Sequence, residues 1–177
     1  MPVLPLSPLD RIDPAAVDAL LDQAFGADRR GRTAYRLREG TRPIPALSFA
    51  ALDGGALVGS IQSWPVAIEI DDGTTLPMVM VGPVAVAPDR QGQGIGRALV
   101  DAVIAAADAN GGSDSGRLMM IGDPDYYGRF FGFSADATGG WRLPGPVERH
   151  RLLLRARDAD RLRVSGTVVP RRALTDA

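Results

Sequence analysis

Residues 89–99 read DRQGQGIGRAL and place three glycines, at positions 92, 94 and 96, directly before an alanine-rich segment. Glycine costs backbone entropy on ordering and is poor inside a helix, so three of them where a helix begins require a reason. The apolar run Leu76–Val86 precedes them and predicts a buried strand. The order of strand, glycine turn and helix points several free backbone N–H groups at one spot.

This arrangement is suited to binding an anion. The first turn of a helix has four amides without internal partners, and the aligned peptide dipoles add about half a positive charge there. Glycines let an anion approach the backbone closely. Arg90 and Arg97 flank the turn and can add charge-assisted contacts. The sequence therefore predicts a phosphate or pyrophosphate site; the alternative is a glycine turn that only packs a helix on a sheet.

The spacing of the turn discriminates between phosphate-binding patterns. The dinucleotide pattern G-x-G-x-x-G fails, because counting from Gly92 its last position is Arg97, and no Gly-Lys-Ser/Thr follows. The pattern Q-x-x-G-x-G fits, as Gln91, Gly94 and Gly96, and it resembles the pyrophosphate motif of the GNAT superfamily, the acyl-CoA-dependent N-acyltransferases. The preceding VAVAPDR, residues 84–90, resembles the end of that family's fourth strand.

Gly82-Pro83 interrupts the apolar strand. Proline removes a ladder donor, so the pair predicts a bulge or an edge, the alternative being a plain strand kink. A bulge would bend this strand away from its predicted parallel neighbour, Arg117–Ile121, and expose backbone groups near Val84 and Val86 to an extended ligand. The resemblance implies the same, a splayed pair of strands holding the pantetheine arm of acetyl-CoA.

A third motif is DPDYYGRFFGF, residues 123–133. With WRLPGPV at 141–147 it resembles the YhbS-like branch of the superfamily, and the likeness covers about Ile12 to Arg157. Family members commonly carry a tyrosine shortly before a Gly-Phe pair. The usual spacing is four residues, but Tyr127 lies five before Gly132, which leaves Tyr126 as an alternative. The family's coenzyme-binding Asn has no match, and Asp123 lies nearest to that role.

The resemblance implies transfer of an acetyl group from acetyl-CoA to a primary amine by direct attack on the thioester. The catalytic candidates are Tyr127 and Tyr126, as acid for the leaving thiolate. The expected coenzyme contacts are Val84, Ala85, Val86, Arg90, Gln91, Gly92, Gln93, Gly94, Ile95, Gly96, Arg97 and Asp123. Backbone N–H groups around Val84 would stabilise the oxyanion. No metal is expected.

A general base is not evident, because the strand LPMVMVGPVAV has no carboxylate. Glu69 and Asp123 are candidates, and water-relayed deprotonation is an equal alternative. The single histidine, His150, is flanked by arginines and is interpreted as a solvated strand residue. Trp64, Trp141 and the Met78/Met80 pair are expected to pack the core or to line the acceptor groove.

The wider pattern predicts an α/β chain with a mixed sheet. The resemblance implies the GNAT-like fold: a mixed central sheet with a splayed parallel strand pair and flanking helices. Helices are predicted from Pro14 to Gly26, over 28–38, from Gly94 to a stop at Gly111-Gly112, and from Asp123 over the tyrosines. Strands are predicted over 46–52, 56–70, 76–86, 117–121, 131–135 and 149–157. The tail beyond Asp160 has little pattern.

Length and composition predict one domain over residues 1–177. The resemblance implies that it is an acyltransferase domain, with its core at about 12–157 and a C-terminal tail at 158–177. The formal net charge of −1 argues against a nucleic-acid partner. No cysteine is present, so disulfides, a thiolate nucleophile and cysteine metal sites are excluded. The N-terminus lacks a basic n-region and the longest apolar run is too short for a bilayer, so a cytoplasmic protein without membrane contact is expected.

Three functional hypotheses remain at the level of sequence. The first is an acetyl-CoA-dependent N-acetyltransferase with an unidentified amine acceptor. The second is a non-catalytic acyl-CoA-binding sensor or scaffold of the same fold. The third is a binder of another phosphorylated ligand at the same helix. A homodimer is possible, since the family often dimerises through its late strands.

Overall fold

The structure, a computed structural model, describes residues 4–110 and 116–172 and shows helices packed on a mixed sheet. The predicted helix stop at Gly111-Gly112 lies outside these residues. The α-helices of the described ranges are α1 (Pro14–Phe25), α2 (Thr33–Arg36), α3 (Ile95–Asn110) and α4 (Pro124–Phe131). The strands are β1 (Leu6–Pro8), β2 (Phe49–Asp53), β3 (Ala56–Ile70), β4 (Thr75–Val86), β5 (Arg117–Ile121), β6 (Trp141–Arg142), β7 (Leu152–Ala156) and β8 (Gly166–Pro170).

The strands pair in the order β1-β2-β3-β4-β5-β7, and β8 pairs with both β3 and β6. Most of these pairings are antiparallel, whereas β4 with β5 and β6 with β8 are parallel. The parallel register of β4 joins Val79 to Leu118 and Met80 to Met119. Helix α3 supplies the crossover between these two parallel strands, as the sequence predicts. The predicted fold class, α/β with a parallel pair inside a mixed sheet, is confirmed.

The chain divides into two compact units. The first comprises the described residues up to Gly31, with Pro43–Ser63 and Gly82–Ala109. The second comprises Arg32–Arg42, Trp64–Val81 and the described residues from Asn110 onward. Strands β3 and β4 contribute residues to both units.

In the first unit, helix α3 packs against a glycine of the sheet. A Cβ built on Gly59 of β3 would lie 2.7 Å from Ile95 Cγ2 and 3.1 Å from Leu99 Cδ1. Ile95 and Leu99 are both buried in the first turns of α3. Only a residue without a side chain fits at this point, so Gly59 sets how closely the start of α3 approaches the strand.

Helix α1 of the first unit begins as its sequence predicts. The Asp13 side chain accepts a hydrogen bond of 3.0 Å from the Ala15 amide, and Pro14 occupies the first helical position. Beyond the helix, Arg29 is almost fully buried and donates to Asp22 at 2.9 Å and to Asp18 at 3.4 Å. This pairing of a buried guanidinium with two exposed carboxylates holds the segment after α1 against the helix.

The core of the second unit is a cluster of buried apolar side chains around Trp141, which is fully buried and donates from Nε1 to the Leu162 carbonyl at 2.9 Å. Arg117 is also buried: it donates to Asp158 at 2.9 Å and to the Pro77 carbonyl at 3.2 Å. These contacts tie β5 to the entry of β4 and to the segment after β7.

Several segments differ from the sequence-based expectation. Strands β1 and β6 were not predicted, and residues 149–151, predicted as the start of a strand that includes His150, form a 3-10 helix. Residues 28–38 were predicted as one helix, but the structure has a 3-10 turn (Ala27–Gly31) followed by the four-residue α2. We attribute the break to the burial of Arg29 in the 3-10 turn, which outweighs helical propensity. The strand predicted over 131–135 is wrong; Phe131 ends α4, and only Ser134 forms an isolated bridge, to Leu154. The weakly patterned segment after Asp160 contains β8, which pairs with β3.

We predict that Gly59→Ala destabilises the protein by about 1–3 kcal/mol, because the added methyl overpacks the contact with α3. Urea unfolding measures the change. Gly31→Ala is the matched control, since a Cβ there meets nothing within 4 Å. Equal stability of the two variants would show that α3 is not held by the close approach at Gly59.

We predict that Asp158→Asn lowers stability at neutral pH by about 1–3 kcal/mol, because the buried Arg117 loses its charged partner. The hydrogen bond from Arg117 lowers the pKa of the Asp158 carboxyl below its ordinary value. A depressed pKa gives stability that is present above the unfolded value of about 3.9 and is lost as pH falls through the folded value. The difference between the variant and the native protein should therefore shrink below about pH 4 in urea titrations; a difference independent of pH would contradict it.

Candidate functional site

The glycine turn between β4 and α3 needs glycine for its backbone conformation. Gly92 and Gly94 both have φ of +82°, a region that L side chains rarely adopt. A Cβ at either position would meet nothing within 4 Å, so packing does not explain them. The two residues leave an open approach to the backbone, as a ligand site requires.

The first turn of α3 presents its amides just after these glycines. The first hydrogen bond across the turn runs from the Ala98 amide to the Gly94 carbonyl, at 3.0 Å. The amides of Ile95 and Gly96 precede it and are among those that a helix leaves without internal partners. A Cβ at Gly96 would make ordinary contacts of 3.6 Å with Val86 and 3.8 Å with Val84. The turn therefore lies over the end of β4, within the first unit.

The arginines beside the turn are not equivalent. Arg90 forms an ion pair of 2.5 Å with Asp53, and both side chains are partly exposed. Arg97 is exposed on the first turn of α3. The ion pair with Asp53 therefore offsets part of the positive charge that Arg90 is predicted to bring to the turn. The sequence analysis did not single out Asp53. Its position directly before the Gly54-Gly55 turn gave no signal of a role near residues 90–97.

The remaining predicted residues of β4 follow Gly82. Gly82 has φ of +124°, and its bond to Pro83 is cis. Ala85 is buried, whereas Val84 and Val86 are partly exposed. The Ala87 amide donates to the Val58 carbonyl at 2.9 Å, which holds the end of β4 against β3. Gly82, where the sequence predicts an interruption, thus has a left-handed φ two residues after Met80, the last residue of β4 in register with β5.

The second unit carries both candidate tyrosines on α4, which is capped at each end. The Asp123 side chain accepts from the Asp125 amide at 3.0 Å, and Pro124 is the first helical residue. Gly132, with φ of +77°, ends the helix and donates to the Gly128 carbonyl at 3.2 Å. Asp123, predicted as a coenzyme contact, therefore has a structural role as the helix cap.

The two tyrosines differ in environment. Tyr126 is 36% exposed, whereas Tyr127 is half-buried. Their rings meet edge to face with centroids 5.0 Å apart, and Tyr127 also lies 6.0 Å from Phe131 and 6.4 Å from Phe133. Burial raises the pKa of the Tyr127 hydroxyl, and Tyr126 and Asp123 add to the rise while Arg151 opposes it. Tyr127 is therefore protonated at neutral pH and able to donate.

The other candidate residues from the sequence lie either on the surface or in the buried core. Glu69 is exposed near the end of β3. His150 is exposed and lies 3.5 Å from Glu148 between Nε2 and Oε2. Trp64, Trp141, Met78 and Met80 belong to the buried core of the second unit, which is one of the two alternatives that the sequence left open.

The described ranges contain neither a candidate metal site nor a helix that could span a membrane. In residues 4–110 and 116–172, no group of three or more His, Cys, Asp or Glu side chains is arranged to hold a metal ion. Across the same residues, every helix is too short or too polar to cross a membrane.

Comparison with known proteins identifies relatives of this chain. Residues 9–134 match the profile described as an acetyltransferase (GNAT) domain. A crystal structure of the Escherichia coli GNAT family N-acetyltransferase YhbS in complex with CoA is similar over 97% of this chain and 92% of its own, with 29% identity and a TM-score of 0.73. A search of curated protein sequences gave no match.

Two further solved structures share the fold. A GNAT family acetyltransferase from Brucella melitensis, in complex with acetyl-CoA, is 24% identical over 89% of this chain and 98% of its own, with a TM-score of 0.55. A GCN5-related N-acetyltransferase from Kribbella flavida is 20% identical over 75% of this chain and 34% of its own, with a TM-score of 0.51. The matched profile spans more than half of the sequence, and the chain belongs to the GNAT acetyltransferase family.

Proposed function

We propose that this protein is an acetyl-CoA-dependent N-acetyltransferase that transfers the acetyl group to a primary amine. Family membership supports acyl transfer. The observation that carries the proposal is the glycine turn: Gly92 and Gly94 have left-handed φ and open space around them, directly before the first turn of α3. The similar E. coli protein was crystallised with CoA, which supports the same ligand here.

The turn fits the diphosphate of the coenzyme. Its amides lie at the positive end of a 16-residue helix, where dipoles and unpaired donors favour an anion. The open positions at Gly92 and Gly94 leave room for phosphate oxygens against the backbone. Exposed Gln91, Gln93 and Arg97 can add side-chain contacts. We assign the diphosphate to residues 91–97 on these grounds.

We assign the pantetheine arm and the thioester carbonyl to the backbone of Val84–Val86. An extended ligand can pair with a strand as an added strand does, and amides there can hydrogen-bond the carbonyl oxygen as it gains negative charge. The acetyl thioester supplies an activated acyl group. The amine nitrogen bonds to the acyl carbon, the C–S bond breaks, and the extra amine proton leaves to solvent.

Tyr127 is assigned as the acid that donates to the departing sulfur. Its raised pKa keeps the hydroxyl protonated at neutral pH. The same rise widens the difference between the pKa of Tyr127 and the thiol reference pKa of about 8.5. Tyr127 therefore first donates a hydrogen bond to the sulfur as negative charge builds there, and the proton is transferred afterwards. Solvent restores the proton afterwards. No carboxylate of the described residues is assigned as base, and water-relayed deprotonation is the proposed route.

Several broader expectations accompany this assignment. A single acyltransferase domain over residues 1–177, a cytoplasmic location and a homodimer stay predictions of the sequence. The acceptor amine is to be found by measuring thiol release from acetyl-CoA with a panel of amines. CoA binding without thiol release from any amine would favour the non-catalytic sensor, and calorimetry with ATP and NAD tests the other phosphorylated ligands.

We predict that Gly94→Glu abolishes CoA binding measured by calorimetry, because a carboxylate would occupy the anion position. Gly94→Gln is the matched control, since it has the same backbone strain and nearly the same size without the charge. We expect the glutamate variant to bind at least about tenfold more weakly than the glutamine variant. Equal CoA affinity of two folded variants would rule out a diphosphate at this turn.

We predict that Tyr127→Phe lowers kcat by on the order of 10²-fold and leaves the affinity for CoA unchanged, because it removes only the proton donor. Tyr126→Phe is the matched control and should retain kcat, since Tyr126 is the more exposed ring. Steady-state kinetics with the best amine of the panel measure both. Full activity of the Tyr127 variant would transfer the acid role to Tyr126 or to water.

A further inference from the structure

We propose that Gly122 is a positioning residue for the Tyr127 ring: the absence of a side chain at Gly122 leaves the space in which the ring lies, and this contact fixes where the hydroxyl stands. The inference rests on the proposed function, in which Tyr127 is the acid. Gly122 lies between the end of β5 and the Asp123 cap of α4, and no motif in the sequence singles it out.

The contact is closer than any side chain would permit. A Cβ built on Gly122 would lie 2.7 Å from Cε2 and 2.8 Å from Cδ2 of Tyr127. Real Cβ atoms essentially never show contacts under 3.0 Å. Cε2 is bonded to the carbon that carries the hydroxyl, so a push at this edge of the ring displaces the hydroxyl itself.

Three aromatic side chains of the same unit also lie beside the ring. Tyr126 lies 5.0 Å away, Phe131 6.0 Å and Phe133 6.4 Å, measured between ring centroids. The Tyr127 amide donates to the Asp123 carbonyl at 2.9 Å, which fixes the backbone beneath the ring. A methyl group at Gly122 would therefore have to move the ring within a packed set of aromatic side chains.

Gly122 is itself anchored. Its amide donates to the Arg151 carbonyl at 2.9 Å, so it cannot move away from the ring without breaking a backbone hydrogen bond. Its φ is not among the positive values of the chain, so the backbone would accept alanine. Packing of the Tyr127 ring is thus the reason for glycine here, in contrast to Gly132, where φ of +77° requires it.

The test is Gly122→Ala, compared with Gly139→Ala as a matched control in the same unit. Gly139 also has an ordinary φ, and a Cβ there meets nothing within 4 Å. Misplacing a reacting group by about 1 Å can cost 10²-fold in rate, so we expect kcat of Gly122→Ala to fall by about ten- to a hundredfold. The KM for acetyl-CoA and the Kd for CoA should stay within about threefold of the native values, because the coenzyme contacts are untouched.

A double-mutant cycle with Tyr127→Phe separates positioning from general damage. If Gly122 acts through the tyrosine hydroxyl, adding Gly122→Ala to Tyr127→Phe changes kcat no further. If Gly122→Ala lowers kcat by the same factor in both backgrounds, its effect is structural and the proposal is overturned. Thermal melting of each variant confirms that it is folded.

A spectrophotometric titration of tyrosine gives a readout independent of turnover. The chain has three tyrosines, and the difference between the native protein and Tyr127→Phe isolates Tyr127. Burial raises the pKa of this hydroxyl, so displacing the ring towards solvent in Gly122→Ala should lower its pKa towards the ordinary value. In a variant that thermal melting shows to be folded, an unchanged midpoint would show that the ring has not moved and would overturn the proposal.

The outcomes distinguish this inference from the proposed function. If Tyr127→Phe slows turnover and Gly122→Ala does not, the acid assignment stands and the positioning role is rejected. If Tyr127→Phe retains full activity while amines are acetylated, Gly122 has no acid to position and the inference fails, whereas acetyl transfer remains. Loss of kcat in Gly122→Ala, absent from the Tyr127→Phe background, supports the inference.

Discussion

The close approach of α3 to Gly59 is the constraint on which the first unit depends. A glycine in β3 lets Ile95 and Leu99 reach the sheet, and these two residues belong to the same helix turns that follow the glycine loop. The position of the proposed diphosphate site is therefore set by apolar packing beneath it. Gly92 and Gly94 then supply a backbone conformation that other residues rarely adopt. The packing of α3 therefore sets where the glycine turn lies, and the left-handed conformation of its glycines sets the path of its backbone.

In the second unit, aromatic rings surround the ring of one tyrosine, Tyr127, which carries the proposed acid. Helix α4 is only eight residues long and would be marginal in isolation. Caps at Asp123 and Gly132, together with rings around Tyr127, give it a defined conformation. The raised pKa of Tyr127 also follows from this packing, because burial is its largest cause.

Short-range sequence patterns predicted most of the helix and strand bounds that depend on neighbouring residues. The bounds of β3 and β5, the Asp13 cap and the start of α3 follow from periodicity, capping chemistry and turn residues. Strand β8 was not predictable, because its pairing with β3 joins residues about a hundred positions apart and its own pattern is short. The Arg90–Asp53 pair and the Gly59 contact also join separate segments, so composition and spacing could not reveal them.

The capping of α4 has a consequence for how its sequence can vary in length. The Phe133 amide donates to the Tyr127 carbonyl at 3.2 Å, so the segment that leaves the helix is bonded to the residue at its centre. An insertion or deletion between Tyr127 and Gly132 would rotate the left-handed glycine away from the carbonyls it serves, and a helix of this length has no spare turn to absorb the shift. The five-residue spacing from Tyr127 to Gly132 is thus accommodated within the helix, whose last residue is Phe131, and loops would accept further length changes more readily.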